Sequence, residues 1–210
     1  CRRIDYSSKN ITTPTTFYTD TVKNPLFNCV SEVNGELNYL DFEKATICQI
    51  LSGLDSGLQN AVFKKSIFDS LLLQNFKVGE DRLFILQLLK KKYKCAFIDK
   101  VTVNYYVHSD NTSDTNLDNK NIDKRVTALK YLIQSYEATT EHVTLNKKEN
   151  TALRKRLSED YIWKLGYSLQ RENGMYTEAL TSMKKGISHY PFKLKYWKTL
   201  LITYVKWLHS

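Results

Sequence analysis

From Asn121 onward, apolar residues recur only at helical spacing, and this limits the fold more than any other feature. Ile122, Val126, Leu129, Leu132, Ile133 and Tyr136 form one stripe, and Leu153, Leu157, Tyr161, Leu165 and Leu169 a second. Gly174 interrupts that run. Ala179, Leu180, Met183 and Ile187 make a third stripe, and Pro191 separates it from a fourth, Leu194, Trp197, Leu201, Tyr204 and Leu208. Such a segment can only be all-α. Upstream the pattern alternates between short β-type runs and helices. The sequence therefore predicts an α/β part over residues 1–117 followed by a helical domain over 118–210.

Within the first part, residues 1–9 read as a strand and turn. Residues 10–40, polar with Pro14 and Pro25, read as a long irregular connection. Asp41 can cap a helix through Phe42, Ala45, Ile47, Cys48 and Leu51. Ala61-Val62-Phe63 reads as a short buried strand, and Ser66 as the cap of a helix holding Ile67, Phe68, Leu71 and Leu72. The next helix runs from about Asp81 to Tyr93. Its apolar residues Leu83, Phe84, Ile85, Leu86, Leu88 and Leu89 cover almost every face, so burial on more than one side is expected. Cys95 to Ile98 and Val101 to Val107 read as strands, and residues 108–120 as a loop.

At 210 residues, with 42% hydrophobic and 25% charged side chains, the chain can bury a substantial core. No apolar run reaches the ~18 residues that span a bilayer. The chain does not open on Met, and its first residues read as mid-strand, so a fragment missing its N-terminal part is expected. Cys1, Cys29, Cys48 and Cys95 have no metal-like spacing and read as reduced, mostly buried thiols of a cytoplasmic protein. The net charge of +9 favours anionic surroundings such as phosphorylated ligands or a membrane surface. Its lysines are spread along the chain without a nucleic-acid-binding motif, which argues against a nucleic-acid partner.

The chemistry-bearing residues lie between 62 and 113. Val62-Phe63-Lys64-Lys65-Ser66 comes first, then Gly79-Glu80-Asp81 at the mouth of an apolar helix. Phe97-Ile98-Asp99 follows, then Val103-Asn104-Tyr105-Tyr106-Val107-His108, and finally Thr112-Ser113. A glycine turn that sets carboxylates at a helix mouth suits proton abstraction from a hydroxyl. Read from spacing alone, Glu80 and Asp81 are first of all caps of helix 82–93.

In order and spacing these pieces resemble the acceptor half of a nonprocessive, GT-A-type family 2 glycosyltransferase, over roughly the first half of the chain. Cys1-Arg2-Arg3-Ile4-Asp5-Tyr6 resembles the strand that follows the family's metal-binding Asp-x-Asp, whose own position falls before residue 1. No Gln-x-x-Arg-Trp occurs, unlike processive polysaccharide synthases. Related enzymes often carry an arginine where this chain has Tyr106.

The resemblance implies a partial GT-A-like mixed sheet with helices and an inverting transfer from a nucleotide-sugar donor. The acceptor would be a glycan, teichoic-acid-like or lipid-linked hydroxyl, worked on at the cytoplasmic membrane face through peripheral contact. It implies Asp81 as general base and Glu80 as the residue that orients the acceptor or loop. It implies Lys64, Tyr106 and Ser109 as substrate contacts. His108 would be a ligand of a divalent metal, Mg²⁺ or Mn²⁺, in the complete enzyme. The alternative is a noncatalytic helical interaction module on a degenerate transferase scaffold.

In the tail, Trp163, Ala179 and Pro191 with the Gly174-Met175-Tyr176 turn resemble one tetratricopeptide helix pair. A single unit cannot bury its own face, so the tail is expected to pack as an appendage on the catalytic domain. The closing stretch from Lys195 to Leu208 is basic, aromatic and amphipathic. It fits an interfacial helix or, as expected here, a core-facing helix with a lysine rim.

Overall fold

The structure is a computed structural model that describes residues 2–7, 15–16, 25–54, 58, 61–107 and 121–209, with backbone alone for 2–7, 15–16, 25 and 101–107. It is mixed α/β and mostly helical. The chain divides into two compact units. The first is Cys1–Asp114 with Glu141–Thr144, and the second is Thr115–Thr140 with Leu145–Ser210.

The first unit holds two three-stranded sheets. In one, β1 (Arg2–Ser7) runs parallel to the distant strand β6 (Val101–Val107), pairing Ile4 with Asn104 and Tyr6 with Tyr106. The two-residue β2 (Thr15–Thr16) joins its other edge antiparallel. The second sheet is antiparallel, in the order β3 (Val30–Asn34), β4 (Leu37–Leu40) and β5 (Ala96–Phe97).

The β3–β4 hairpin corrects the irregular connection expected over residues 10–40. Its Gly35-Glu36 turn joins Asn34 to Leu37. A glycine opening a two-residue loop is a hairpin signal, and the polar composition around it masked that signal. A 3₁₀ turn, Pro25–Cys29, precedes the hairpin.

Helix α1 (Phe42–Leu51) starts where Asp41 accepts a hydrogen bond from the Lys44 amide at 2.8 Å, as its sequence predicts. Helix α2 (Glu80–Lys90) is the centre of the unit. Leu83, Phe84, Ile85, Leu86, Leu88 and Leu89 are all buried, so the helix is covered on several sides as expected. Phe84 is completely buried, edge-on to Phe63 at 5.4 Å and stacked on Phe68 at 5.6 Å.

The strand expected at Ala61 to Phe63 is absent. That stretch is irregular, and Val62 is fully exposed while Phe63 turns inward. The helix expected behind Ser66 is a short 3₁₀ helix, Lys65–Asp69, with Lys64 at its cap position and no side-chain cap. Leu71 is buried but Leu72 is exposed, because so short a helix cannot carry one stripe through both. The Cys95–Ile98 strand contracts to β5.

The second unit is helical throughout. Helix α3 (Ile122–Glu137) is capped by the Asn121 side chain on the Lys124 amide. The single turn α4 (Thr139–His142) lies across the division between the units. Helix α5 (Lys147–Glu159) opens on a capping box, in which Asn146 accepts from the Glu149 amide and Glu149 accepts from the Asn146 amide. It continues without a break as a π-helix, Asp160–Gln170, and ends in a 3₁₀ turn, Arg171–Asn173, at Gly174. Helices α6 (Tyr176–His189) and α7 (Leu194–Leu208) complete the unit.

Its tightest point lies where α6 meets the α5–π helix. A Cβ on Gly186 would stand 2.6 Å from Ile162 Cγ1 and 3.0 Å from the Ser158 carbonyl oxygen, so only glycine lets the two backbones approach. Ile162, Met183, Ile187 and Tyr196 form the core beside it.

The expected inward face of α7 is wrong. Tyr196, Thr199 and Thr203 are buried, whereas Leu194, Trp197, Leu201, Tyr204 and Leu208 are exposed. Tyr196 fixes the rotation. Its ring meets Trp163 edge-on at 6.1 Å, and its hydroxyl donates to Glu159 at 3.2 Å. Small threonines one turn on then face the packed side.

Two substitutions test these cores. Phe84→Ala is expected to lower the stability of the first unit by about 3–5 kcal/mol. Gly186→Val is expected to lower that of the second by about 1–3 kcal/mol. Both are read as shifts in the urea midpoint.

Candidate functional site

Gly79 sets the geometry of the α2 mouth. It is buried and left-handed, at φ 92°, a conformation that glycine adopts without the penalty a Cβ brings. It accepts the first helical hydrogen bond, from the Leu83 amide at 3.2 Å. Glu80 and Asp81 therefore occupy the first turn, where free amides and the helix dipole favour negative charge. Both side chains are partly exposed. Asp81 Oδ1 accepts from the Arg82 amide at 2.7 Å. Its other carboxylate oxygen takes no hydrogen bond among the described residues.

Two residues that the sequence did not single out hold this mouth in place. Gln49, buried on α1, donates to the Arg82 carbonyl at 2.8 Å and accepts from the Leu54 amide at 2.7 Å. The Arg82 guanidinium lies directly against Gly53, where a Cβ would come within 2.6 Å of its Nη1. The sequence offered one hint, Gly53, a glycine just past the end of α1 that marks a break in the chain. A buried glutamine that satisfies both ends of its amide carries no sequence signature.

Lys64 is exposed at the cap position of the 3₁₀ helix, and its carbonyl accepts from the Ile67 amide at 3.0 Å. Its neighbour Phe63 packs on Phe84 of α2, so the Lys64 and Asp81 segments share one hydrophobic core, as does Phe97 of β5. Tyr106 sits in β6 opposite Tyr6, in backbone register only. His108 and Ser109 lie outside the described residues. Among the described residues no three His, Cys, Asp or Glu side chains converge to hold a metal ion. No helix among them is long and apolar enough to cross a membrane.

The three cysteines among the described residues are unsuited to nucleophilic work. Burial pushes the Cys48 thiol up to about 12, helped by the neighbouring Cys29, and burial raises Cys29 and Cys95 as well. All three are free thiols, Cys29 buried and the other two partly so.

The second unit carries its own polar cluster. Glu137 accepts from the Tyr161 hydroxyl at 3.0 Å and pairs with Lys185 at 2.9 Å. His189 stacks on Tyr161 at 5.7 Å, with Nε2 3.6 Å from Glu137, too long for a hydrogen bond. Asp160, fully buried, is held by Arg156 at 2.6 Å and Lys164 at 2.8 Å. These groups tie α3, the π-helix and α6 together, with the His189 ring held by its stacking on Tyr161, so the cluster reads as a clasp between helices.

No protein-family model, no curated protein and no solved structure matches the chain.

The clasp makes a prediction about pH. Burial holds the His189 imidazole below its ordinary 6.5, against the opposing charge of Glu137. The unfolded chain therefore takes up this proton at higher pH than the folded one. The stability tied to neutral His189 is complete above about 6.5 and is lost as pH falls through the lower folded value. Melting temperature should fall across that window, and His189→Gln should flatten that part of the profile.

Proposed function

We propose that this chain supplies the acceptor side of an inverting, family 2-type glycosyltransferase. It would move a sugar from a nucleotide-sugar donor to a hydroxyl on a glycan, teichoic-acid-like or lipid-linked acceptor. The observation that carries the reading is the α2 mouth. Asp81 stands partly exposed on a helix whose apolar side chains are all buried, and that helix shares its core with Phe63 and Phe97, which belong to two further pieces of the family pattern.

In the proposed step the acceptor oxygen bonds to the anomeric carbon as the bond to the nucleoside diphosphate breaks. The diphosphate leaves with that electron pair. The hydroxyl proton passes to the free carboxylate oxygen of Asp81. Glu80 lies beside it to orient the acceptor, and Lys64 offers an exposed cation on a neighbouring segment. Tyr106, Ser109 and His108 retain the roles the resemblance implies, His108 toward a divalent Mg²⁺ or Mn²⁺ that would neutralise the leaving diphosphate. Such a transferase would act at the cytoplasmic face of a membrane.

One observation favours the alternative of a noncatalytic module. The N-cap of α2 is Gly79, with no side-chain cap, but Asp81 Oδ1 already binds the Arg82 amide, one of the first-turn N–H groups that has no partner within the helix. The two readings separate cleanly in a chain joined to a donor-binding segment. If Asp81 is the base, Asp81→Asn lowers the transfer rate by roughly 10²–10⁴-fold with the acceptor KM and the fold intact. If it only caps, transfer is unchanged and the loss appears as about 0.5–2 kcal/mol of stability. Release of nucleoside diphosphate and thermal melting read the two arms.

A further inference from the structure

Helix α7 exposes the wrong face for a core helix. Leu194, Trp197, Leu201, Tyr204, Val205 and Leu208 are 45–87% exposed. At 3.6 residues per turn they share one arc of about 100°. Lys195, Lys198 and Lys206 follow along one edge of this arc, and all three are exposed. No acidic residue occurs between Lys193 and Ser210. The indole N–H of Trp197 donates to the Pro191 carbonyl at 2.9 Å, which satisfies its polar end and leaves the ring half exposed. The opposite side of the helix is anchored by Tyr196, Thr199 and Thr203. The exposed arc is therefore a stable feature of the folded unit.

Charge points to the occupant. The first unit carries 14 Lys and Arg against 14 Asp and Glu, so it is neutral. The second carries 17 against 8, which is the whole net charge of +9. The lysines that look scattered along the sequence thus leave their excess in one unit. An apolar, aromatic arc with a lysine edge is the composition of a helix lying in a bilayer interface. Lysine stems can cover apolar surface while their heads reach anionic headgroups. A nucleic acid would answer the charge, but it would leave the Leu, Val and Trp side chains without an apolar partner.

We infer that the α7 face binds an anionic lipid surface. The helix would lie along the bilayer with its leucines and Trp197 among the upper acyl chains and its lysines at the phosphates. This inference stands apart from the transferase reading. Vesicle binding by a chain in which Asp81→Asn transfers normally would overturn only that reading.

The test is sedimentation of the 210-residue chain with phosphatidylcholine vesicles, with and without phosphatidylglycerol. Binding is expected to be roughly tenfold stronger or more on the anionic vesicles, to weaken as salt rises, and to shift tryptophan emission to the blue. Leu201→Glu with Trp197→Ala is expected to abolish it without changing the circular dichroism spectrum, since both side chains are exposed. Replacing Lys195, Lys198 and Lys206 with Gln should remove the preference for phosphatidylglycerol. The inference is overturned by equal or absent binding to the two vesicle types, or by binding that survives the double substitution. Tighter binding to an oligonucleotide than to the vesicles overturns it too, as does self-association that Leu201→Glu abolishes.

Discussion

The first unit depends on one helix that has almost no solvent side. Burying the six apolar side chains of α2 contributes about 1.5–3 kcal/mol each relative to exposure. Phe84 gathers Phe63, Phe68 and the β5 edge around it. A helix so enclosed can present polar groups only at its ends. Gly79 makes that end possible by turning left-handed, and Gln49 holds it by bonding to the Arg82 carbonyl. The carboxylates at the mouth are positioned by hydrophobic packing, and the chemistry proposed for Asp81 rests on that packing.

The second unit solves a different problem. Its helices meet at Gly186, where the absence of a side chain brings α6 against Ile162 and the Ser158 carbonyl. Close approach leaves little room for polar groups, and while the buried Ser158 hydroxyl and the Gln170 side-chain oxygen have no hydrogen-bond partner among the described residues, the buried carboxylate is paired. Asp160 lies between two cations, and Glu137 joins a tyrosine to a lysine. Breaking one such pair strands the partner charge, which is costlier than the pair is stabilising. The unit thus concentrates positive charge on its surface while keeping its interior balanced.

Much of the architecture was legible because periodicity reports on it directly. The helices at Asp41–Leu51, from Glu80, and from Asn121 onward follow their apolar spacing and their caps. The pairing of β1 with β6 could not be read, since it joins residues about a hundred positions apart. The hairpin at Gly35 was missed although its turn chemistry was present, because the surrounding residues are polar and largely exposed. At the candidate site the residues themselves were legible as a motif. Gln49 and Arg82, which hold that motif, were not.

The sequence alone determined the long helices of both units and that the second half is all-α. Those properties depend on neighbours along the chain. Only tertiary structure decided which face of α7 points inward. A helix with apolar residues on one arc and Tyr196, Thr199 and Thr203 on another can be packed either way. Tyr196 settles it by reaching Glu159 and Trp163, contacts that exist only once distant helices have assembled.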